Sequence, residues 1–136
     1  QCIEDESIRV FNMDPYRYDE AASAIRGEIQ SIDATRVVID PVTSMDLYID
    51  NRKDIRKNLV DMETMLKDLG VTTLILAESE EATEIEEEVA DSIIMMNVER
   101  EDDEIQREIF VRKVRGSEFE EGVHPYEFTS KGLRVL

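Results

Sequence analysis

The sequence has little that can cross-link, kink or anchor the chain, with one cysteine, three prolines, five glycines and no tryptophan. A disulfide needs two cysteines, so Cys2 excludes an internal disulfide, and we expect a reducing, cytoplasmic environment. No apolar run approaches the roughly twenty residues of a membrane-spanning helix. We also see no signal-peptide pattern. These absences argue against a membrane protein and against a disulfide-stabilised secreted protein.

Two kinds of phosphate-binding feature are also scarce. No glycine is followed by lysine, so the sequence contains no phosphate loop of the form G-x-x-x-x-G-K-[ST]. Sixteen cationic residues face thirty-three acidic ones, which gives a formal net charge of −17 and a pI of about 4.3. Nucleic-acid backbones and anionic membranes both require Lys and Arg. We therefore expect no membrane partner, and the charge argues against nucleic acid as a partner.

The acidic residues are spread along the chain, and lysines are fewer than arginines. Such a surface suits a cytoplasm rich in salt, because the Debye length falls to roughly 3 Å near molar salt and self-repulsion is then screened. We interpret the composition as that of a halophilic, archaeal protein. An acidic protein from an ordinary cytoplasm is the alternative.

Two stretches have apolar side chains at the three- and four-residue spacing that is typical of a helix. The first runs from about Tyr18 to Ile32, and the second from about Arg52 to Leu69. Gly70 follows the second stretch, where glycine commonly ends a helix. The apolar positions are Ala21, Ala22, Ile25, Ile29, Ile32, Ile55, Leu59, Met62, Leu66 and Leu69.

Other apolar or alternating runs predict strands. They are Ile8–Met13, Val37–Ile39, Val71–Ala77, Ser92–Val98, Ile105–Arg115, Tyr126–Thr129 and Leu133–Leu136. The continuous runs Val37–Ile39 and Val71–Ala77 predict strands that are buried on both faces of a parallel sheet. We expect an acidic turn at Glu99–Glu104. The order predicts an α/β fold of the β-α-β-α-β kind, with a mostly parallel sheet flanked by helices and an antiparallel C-terminal strand extension.

Five blocks in the same order resemble KaiC-like ATPases of the RecA superfamily. They are Arg36–Met45, Leu66–Ile75, Glu88–Ile94, Val111–Ser117, and the pair His124–Phe128 with Gly132–Val135. The resemblance covers nearly the whole chain. It implies that residues 1–136 are the C-terminal part of a single RecA-like ATPase domain, with the phosphate loop and the catalytic glutamates of the family lying upstream. It also implies ATP and Mg²⁺ as cofactors.

Acidic and hydroxyl side chains follow the two apolar strands. Ligands gather at the carboxyl ends of strands in α/β sheets, so Asp40 is either a turn residue or a ligand of Mg²⁺. The resemblance implies that Asp40 holds Mg²⁺ through water. Thr43 and Ser44 either orient water or serve the turn. Glu78 either relays between the nucleotide and a subunit interface, as a catalytic residue, or is a solvated acid.

A second group of candidates lies near the C-terminus. Lys113 and Arg115 are two residues apart, which places both on one face of a strand. The alternative to an anion between them is pairing with the chain's own carboxylates. The resemblance implies that they contact the nucleotide of a neighbouring subunit, with Gly116 and Ser117 near its phosphates or ribose. It implies the same general location for Thr129 and Ser130, whereas His124 is expected to be a surface or packing residue.

Three functions follow from these residues. The first, which the resemblance implies, is an ATPase that binds and hydrolyses ATP between the subunits of a six-membered ring and signals to a regulatory protein partner. The second is a non-catalytic module that assembles or binds partners, which the missing phosphate loop favours for the chain alone. The third is a RadA-like recombination ATPase, against which the net charge of −17 argues.

Overall fold

The computed structural model describes residues 7–13, 18–41, 51–77, 88–102 and 104–136. The chain divides into two compact units, Gln1–Val89 and Ala90–Leu136. The described elements of the first unit are α1 (Tyr18–Ser31), β1 (Arg36–Ile39), α2 (Arg52–Asp68) and β2 (Thr72–Ile75). Those of the second unit are β3 (Ser92–Glu101), β4 (Glu104–Val114), β5 (His124–Thr129) and β6 (Gly132–Val135). Neither described helix is long and apolar enough to cross a membrane.

Strands β1 and β2 of the first unit form a parallel pair, with Arg36 opposite Thr72 and Ile39 opposite Ile75. Helix α2 lies between them in the chain, as a parallel connection requires. The backbone N–H of Leu76 extends this ladder by donating to the carbonyl oxygen of Ile39 at 2.9 Å. The predicted β-α-β unit is therefore confirmed for these strands and this helix.

One hydrophobic cluster packs the helices of the first unit against β1. Residues spaced four apart on α1 meet the apolar face of α2, as the sequence spacing predicts. The buried members are Ala21, Ile25, Ile29, Ile39, Leu59, Met62, Met65 and Leu66. The hydroxyl of Tyr18 also joins the two helices by donating to the carbonyl oxygen of Asn58. Both predicted helices are confirmed, to within one residue at their ends.

Helix α2 is closed at both ends by its own sequence. The side chain of Asn51 accepts a hydrogen bond from the backbone N–H of Lys53 at 3.0 Å, which satisfies one of the first free donors. At the other end Gly70 has a φ of +69°, a left-handed conformation that favours glycine. Gly70 and Val71 donate backwards to the carbonyls of Lys67 and Leu66. This pattern is a Schellman motif, and it confirms Gly70 as the helix terminator.

The predicted first strand, Ile8–Met13, is wrong, because residues 7–13 form no strand. A strand needs a neighbouring ladder for its backbone groups, and this segment is tied to a helix instead. The guanidinium of Arg9 donates to the Glu28 carboxylate at 3.0 Å and to the Ser31 hydroxyl at 3.1 Å. Apolar alternation alone therefore did not decide the conformation.

The expectation that β1 and β2 are buried on both faces is also wrong for the described chain. Ile39 is buried, but Val38 is 63% exposed and Leu74 is 58% exposed. In the described part of the unit, the two helices cover one face of this two-stranded sheet, the face that carries Val37 and Ile39. A continuous apolar run thus overstated the burial of both strands.

The second unit is a four-stranded antiparallel sheet in the order β3-β4-β5-β6. It confirms the antiparallel extension and the closing pair of strands around Gly132. Ser92–Val98 belongs to this extension, because β3 pairs antiparallel with β4. The sheet also shortens the acidic turn, since Glu101 and Glu104 are already paired with each other.

Candidate functional site

Asp40 follows directly on β1, at the carboxyl end of the parallel pair. The strand holds Ile39 in the core, and the next side chain is exposed because successive residues point to opposite faces. Asp40 is joined to Pro41 by a cis peptide bond. Because Asp40 follows β1, its carboxylate lies at the carboxyl ends of the parallel strands, where α/β proteins bind ligands.

A cleft of about 1090 Å³ adjoins this carboxylate. It lies between residues 7–13, α1 and β1, and it is lined mainly by apolar side chains, with Asp40 and Pro41 among the lining residues. Among the described residues no three His, Cys, Asp or Glu side chains cluster closely enough to cage a metal ion. Asp40 alone nevertheless fits Mg²⁺, which keeps several waters and takes one or two carboxylates besides phosphate oxygens.

Three predicted candidates of this region, Thr43, Ser44 and Glu78, lie outside the described residues. Their roles stay predictions.

Lys113 and Arg115, the predicted cations of the second unit, lie at the end of β4. Both are held by the residues just before β3. The ammonium group of Lys113 donates to the carbonyl oxygen of Ala90 at 2.8 Å, in a half-buried position. The guanidinium of Arg115 lies 3.4 Å from the carboxylate of Asp91. The backbone N–H of Arg115 also donates to the Asp91 carbonyl oxygen at 2.7 Å, which extends the ladder beyond β4. We call Lys113 and Arg115 the cation pair.

A β-bulge determines which way the cation pair points. Ile93 lies opposite Lys113, whereas Ile94 lies opposite Val111, so Arg112 is an additional residue in β4. Regular alternation would place the cation pair on the same face as Val111. The additional residue reverses the alternation and brings the pair to the face of Ile93. The cation pair therefore lies on the face of Ile93, opposite to the face that carries Ile94 and Val111.

Six apolar residues share the other face of the β3–β4 hairpin, away from the cation pair. Ile94, Met96 and Val98 are 59%, 48% and 63% exposed on β3, and Ile105 is 57% exposed on β4. We call this surface the apolar face; its members are Ile94, Met96, Val98, Ile105, Ile109 and Val111. Arg107 and Arg100 lie on the same face, opposite Val98 and Ile105. Exposed apolar side chains grouped on one face are a feature of interaction sites.

The remaining candidates fall at two ends of β4. Gly116 and Ser117 follow Arg115 in a turn, in which Gly116 has a φ of +77°. Thr129 and Ser130 lie beside Phe128, whose ring centroid is 5.7 Å from the guanidinium carbon of Arg107, near the start of β4. Within one chain the structure thus brings Gly116 and Ser117 to the cation pair but not Thr129 and Ser130. The Thr129 hydroxyl also serves its own turn, donating to the Gly132 carbonyl oxygen at 2.8 Å.

Two features of the site escaped sequence reasoning. Asp91 lies 24 residues before Arg115, and nothing in the acidic composition distinguishes it from the other carboxylates. The bulge at Arg112 depends on how β3 pairs with β4, which alternation within one strand does not reveal. His124, expected to be a packing residue, is half-buried and lies against Gly122, where an added Cβ would come within 3.2 Å of its Nε2.

A parallel β-α-β unit that ends in a carboxylate, followed by an antiparallel extension, defines an α/β class of protein. The family described as ATPase: KaiC matches residues 3–136, and the chain belongs to this family. Its fold is accordingly RecA-like. A KaiC-like protein from Pyrococcus horikoshii superposes with a TM-score of 0.79 at 27% identity, covering 89% of this chain and 57% of that one.

Curated relatives agree with this assignment. A UPF0273 protein of Methanopyrus kandleri is 32% identical over 127 residues, which is 90% of this chain and 50% of the relative. The circadian clock oscillator protein KaiC of Synechococcus elongatus is 29% identical over 114 residues, 79% of this chain and 22% of that protein. The chain spans about half the length of the UPF0273 relatives that it matches.

Proposed function

We propose that this chain contributes to ATP hydrolysis at subunit interfaces, serving two nucleotides at once. Asp40 acts on the nucleotide of its own subunit, and the cation pair acts on the nucleotide of a neighbouring subunit. The observation that carries the proposal is that Lys113 and Arg115 lie together at the end of β4, in a unit separate from the unit that holds Asp40. We propose further that residues 1–136 are the C-terminal part of one ATPase domain.

The residues fit complementary tasks. Bound Mg²⁺ neutralises charge on the transferring phosphates and orients them. Asp40, at the end of β1, would hold that ion through water. The guanidinium of Arg115 presents its N–H donors in a planar fork, which matches the geometry of phosphate oxygens. Lys113 provides a compact positive charge beside it. Gly116 and Ser117 offer a turn backbone and a hydroxyl next to the same phosphates.

The other predicted residues take subsidiary places in the proposal. Glu78, Thr43 and Ser44 follow β1 and β2 and are assigned to the site of Asp40. Thr129 and Ser130 lie at the far end of β4 from the cation pair, so we assign them a separate contact, away from the terminal phosphates. Assembly into a ring with regulatory output to a partner protein completes the proposal.

The test measures ATP turnover in a form of the protein in which these residues follow a phosphate-loop segment. Arg115→Ala should lower turnover about 10³-fold or more if Arg115 stabilises charge on the transferring phosphoryl group. Arg134→Ala is the matched control, because Arg134 is an exposed cation of the same unit that pairs with Glu127. Equal turnover of the two variants would remove the cation pair from the mechanism.

A second function, assembly without catalysis, is favoured by the apolar face. Four of its side chains are about half or more exposed, and β3 is the edge strand of its sheet. We propose that a second copy of the chain covers this surface. Sedimentation of the 136-residue chain should then show dimers or larger species. Met96→Glu, which places a charge in the surface, should give monomers, whereas a wild-type monomer at tens of micromolar contradicts this function.

A further inference from the structure

One acidic residue, Asp91, contacts the cation pair directly. Asp91 is the residue immediately before β3, and it meets Arg115 twice, through its carboxylate and through its carbonyl oxygen. The two contacts differ in kind. The carbonyl bond continues the β3–β4 ladder, whereas the carboxylate occupies a position from which an anion would bind the guanidinium.

The two members of the cation pair are held with different firmness. Lys113 is half-buried and donates to a backbone carbonyl, which does not move unless the strand moves. Arg115 is 54% exposed, as is Asp91, and their charged atoms are 3.4 Å apart. An exposed pair at this distance is weak, since solvent screens it and two side chains must be ordered to form it. A polyphosphate can therefore displace the carboxylate at modest cost.

We infer that Asp91 is an internal competitor for the nucleotide phosphates, a positioning residue that holds Arg115 within its own subunit until a triphosphate replaces it. The inference rests on the proposed function, because it takes the cation pair to be the phosphate contact. Asp91 thus sets the affinity of the pair for an anion without touching the anion itself. Its charge, rather than its backbone, exerts the competition.

Asp91→Asn isolates this charge. The substitution keeps the size of the side chain and leaves the carbonyl bond to Arg115 in place, so the ladder is preserved. Glu127→Gln is the matched control, because it removes one negative charge from the same unit, at a carboxylate that pairs with Arg134 instead. Amide spectra of each variant report whether the fold is retained.

The experiment titrates the 136-residue chain with sodium tripolyphosphate at constant ionic strength and follows the Arg115 amide and side-chain N–H signals by NMR. Asp91→Asn should tighten binding about threefold, within the range of exposed ion pairs, and Glu127→Gln should change it less than about 1.5-fold. Adding Arg115→Ala to Asp91→Asn should abolish the gain. ATP should show the same gain as tripolyphosphate, and AMP, which lacks the terminal phosphates, should show none.

The outcomes separate this inference from the proposed function. If Arg115→Ala alone leaves tripolyphosphate binding unchanged, the cation pair is not a phosphate contact and both ideas fail. If Arg115→Ala weakens binding but Asp91→Asn does not strengthen it, Asp91 is not a competitor and only this inference fails. An equal gain from Glu127→Gln, or no detectable binding by any variant, also overturns it.

Discussion

The two compact units differ sharply in how they bury apolar side chains. Eight residues of the first unit form one buried cluster, whereas Tyr126 is the one buried hydrophobic residue of the second unit among the described residues. The first unit is stabilised by side-chain packing between helices and a sheet. The second is stabilised mainly by its backbone ladder and by cross-strand pairs. Single core residues should therefore govern the first unit, and strand register should govern the second.

The largest difference should appear when one methionine is truncated in each unit. Met62 is 1% exposed at the centre of the first cluster, so Met62→Ala should lower the free energy of unfolding by about 2–5 kcal/mol. Met96 is 48% exposed on the apolar face, and Met96→Ala should cost less than about 1 kcal/mol. Urea unfolding followed by circular dichroism measures both. Equal losses would mean that the second unit has a comparable core.

The second unit should respond instead to a change of register. Inserting one alanine between Ile93 and Ile94 gives Arg112 a partner, so the bulge is lost and Lys113 and Arg115 return to the face of Val111. Tripolyphosphate binding should then fall about tenfold, as expected for loss of a charge-assisted hydrogen bond. Arg112→Ala keeps the bulge and removes only one charge, so its loss should be clearly smaller. Identical binding by the two variants would show that the bulge does not direct the cation pair.

Tyr18 tests the joint between the two helices of the first unit. Its hydroxyl donates to the Asn58 carbonyl oxygen, so Tyr18→Phe should cost about 1 kcal/mol. Burial, and then the nearby Asp61 carboxylate, raises the pKa of Tyr18 above its ordinary value. Because the folded state favours the protonated form, this contribution is present below about pH 10 and is lost at higher pH. Thermal unfolding of the wild type between pH 8 and 11 should show a stability that falls at the upper end of this range. A fall of equal size in the Tyr18→Phe variant contradicts the assignment.

The smallest effect should come from a hydroxyl in β2. The Thr73 Oγ1 atom is buried and has no hydrogen-bond partner among the described residues. Thr73→Val removes that polar group at constant shape, so it should raise the free energy of unfolding by about 0.5–1 kcal/mol. Thr72→Val, at the exposed neighbouring position, should change little. A destabilised Thr73→Val protein would indicate that the hydroxyl has a partner.

Local patterns predicted the elements of both units and the parallel or antiparallel kind of each sheet, but not the strand register. The spacing of Ala21, Ile25 and Ile29 was sufficient for α1, and Gly70 for the end of α2, because both signals act within a few residues. Ile8–Met13 had an equally good strand pattern, but in the described chain it forms no strand and pairs with no neighbouring strand. The register of β3 likewise depended on β4, which the sequence of β3 does not reveal.

The candidate site divides in the same way. The position of Asp40 at the end of a strand followed from the apolar run before it. The orientation of Lys113 and Arg115 did not follow from their spacing, because the bulge lies between them and the rest of β4. Their partners, Ala90 and Asp91, lie 23 and 24 residues away and become neighbours only through the hairpin.

The central claim is that Asp40 and Arg115 serve different nucleotides, and mixing two inactive variants tests it most directly. Asp40→Asn and Arg115→Ala are prepared separately in the form that carries a phosphate loop, and ATP turnover is measured before and after subunit exchange. Mixed assemblies can place an intact Asp40 of one subunit against an intact Arg115 of the next. The account predicts that turnover returns on mixing. If mixed assemblies form, as native mass spectrometry can show, and turnover stays absent, both residues act within one subunit and the account is contradicted.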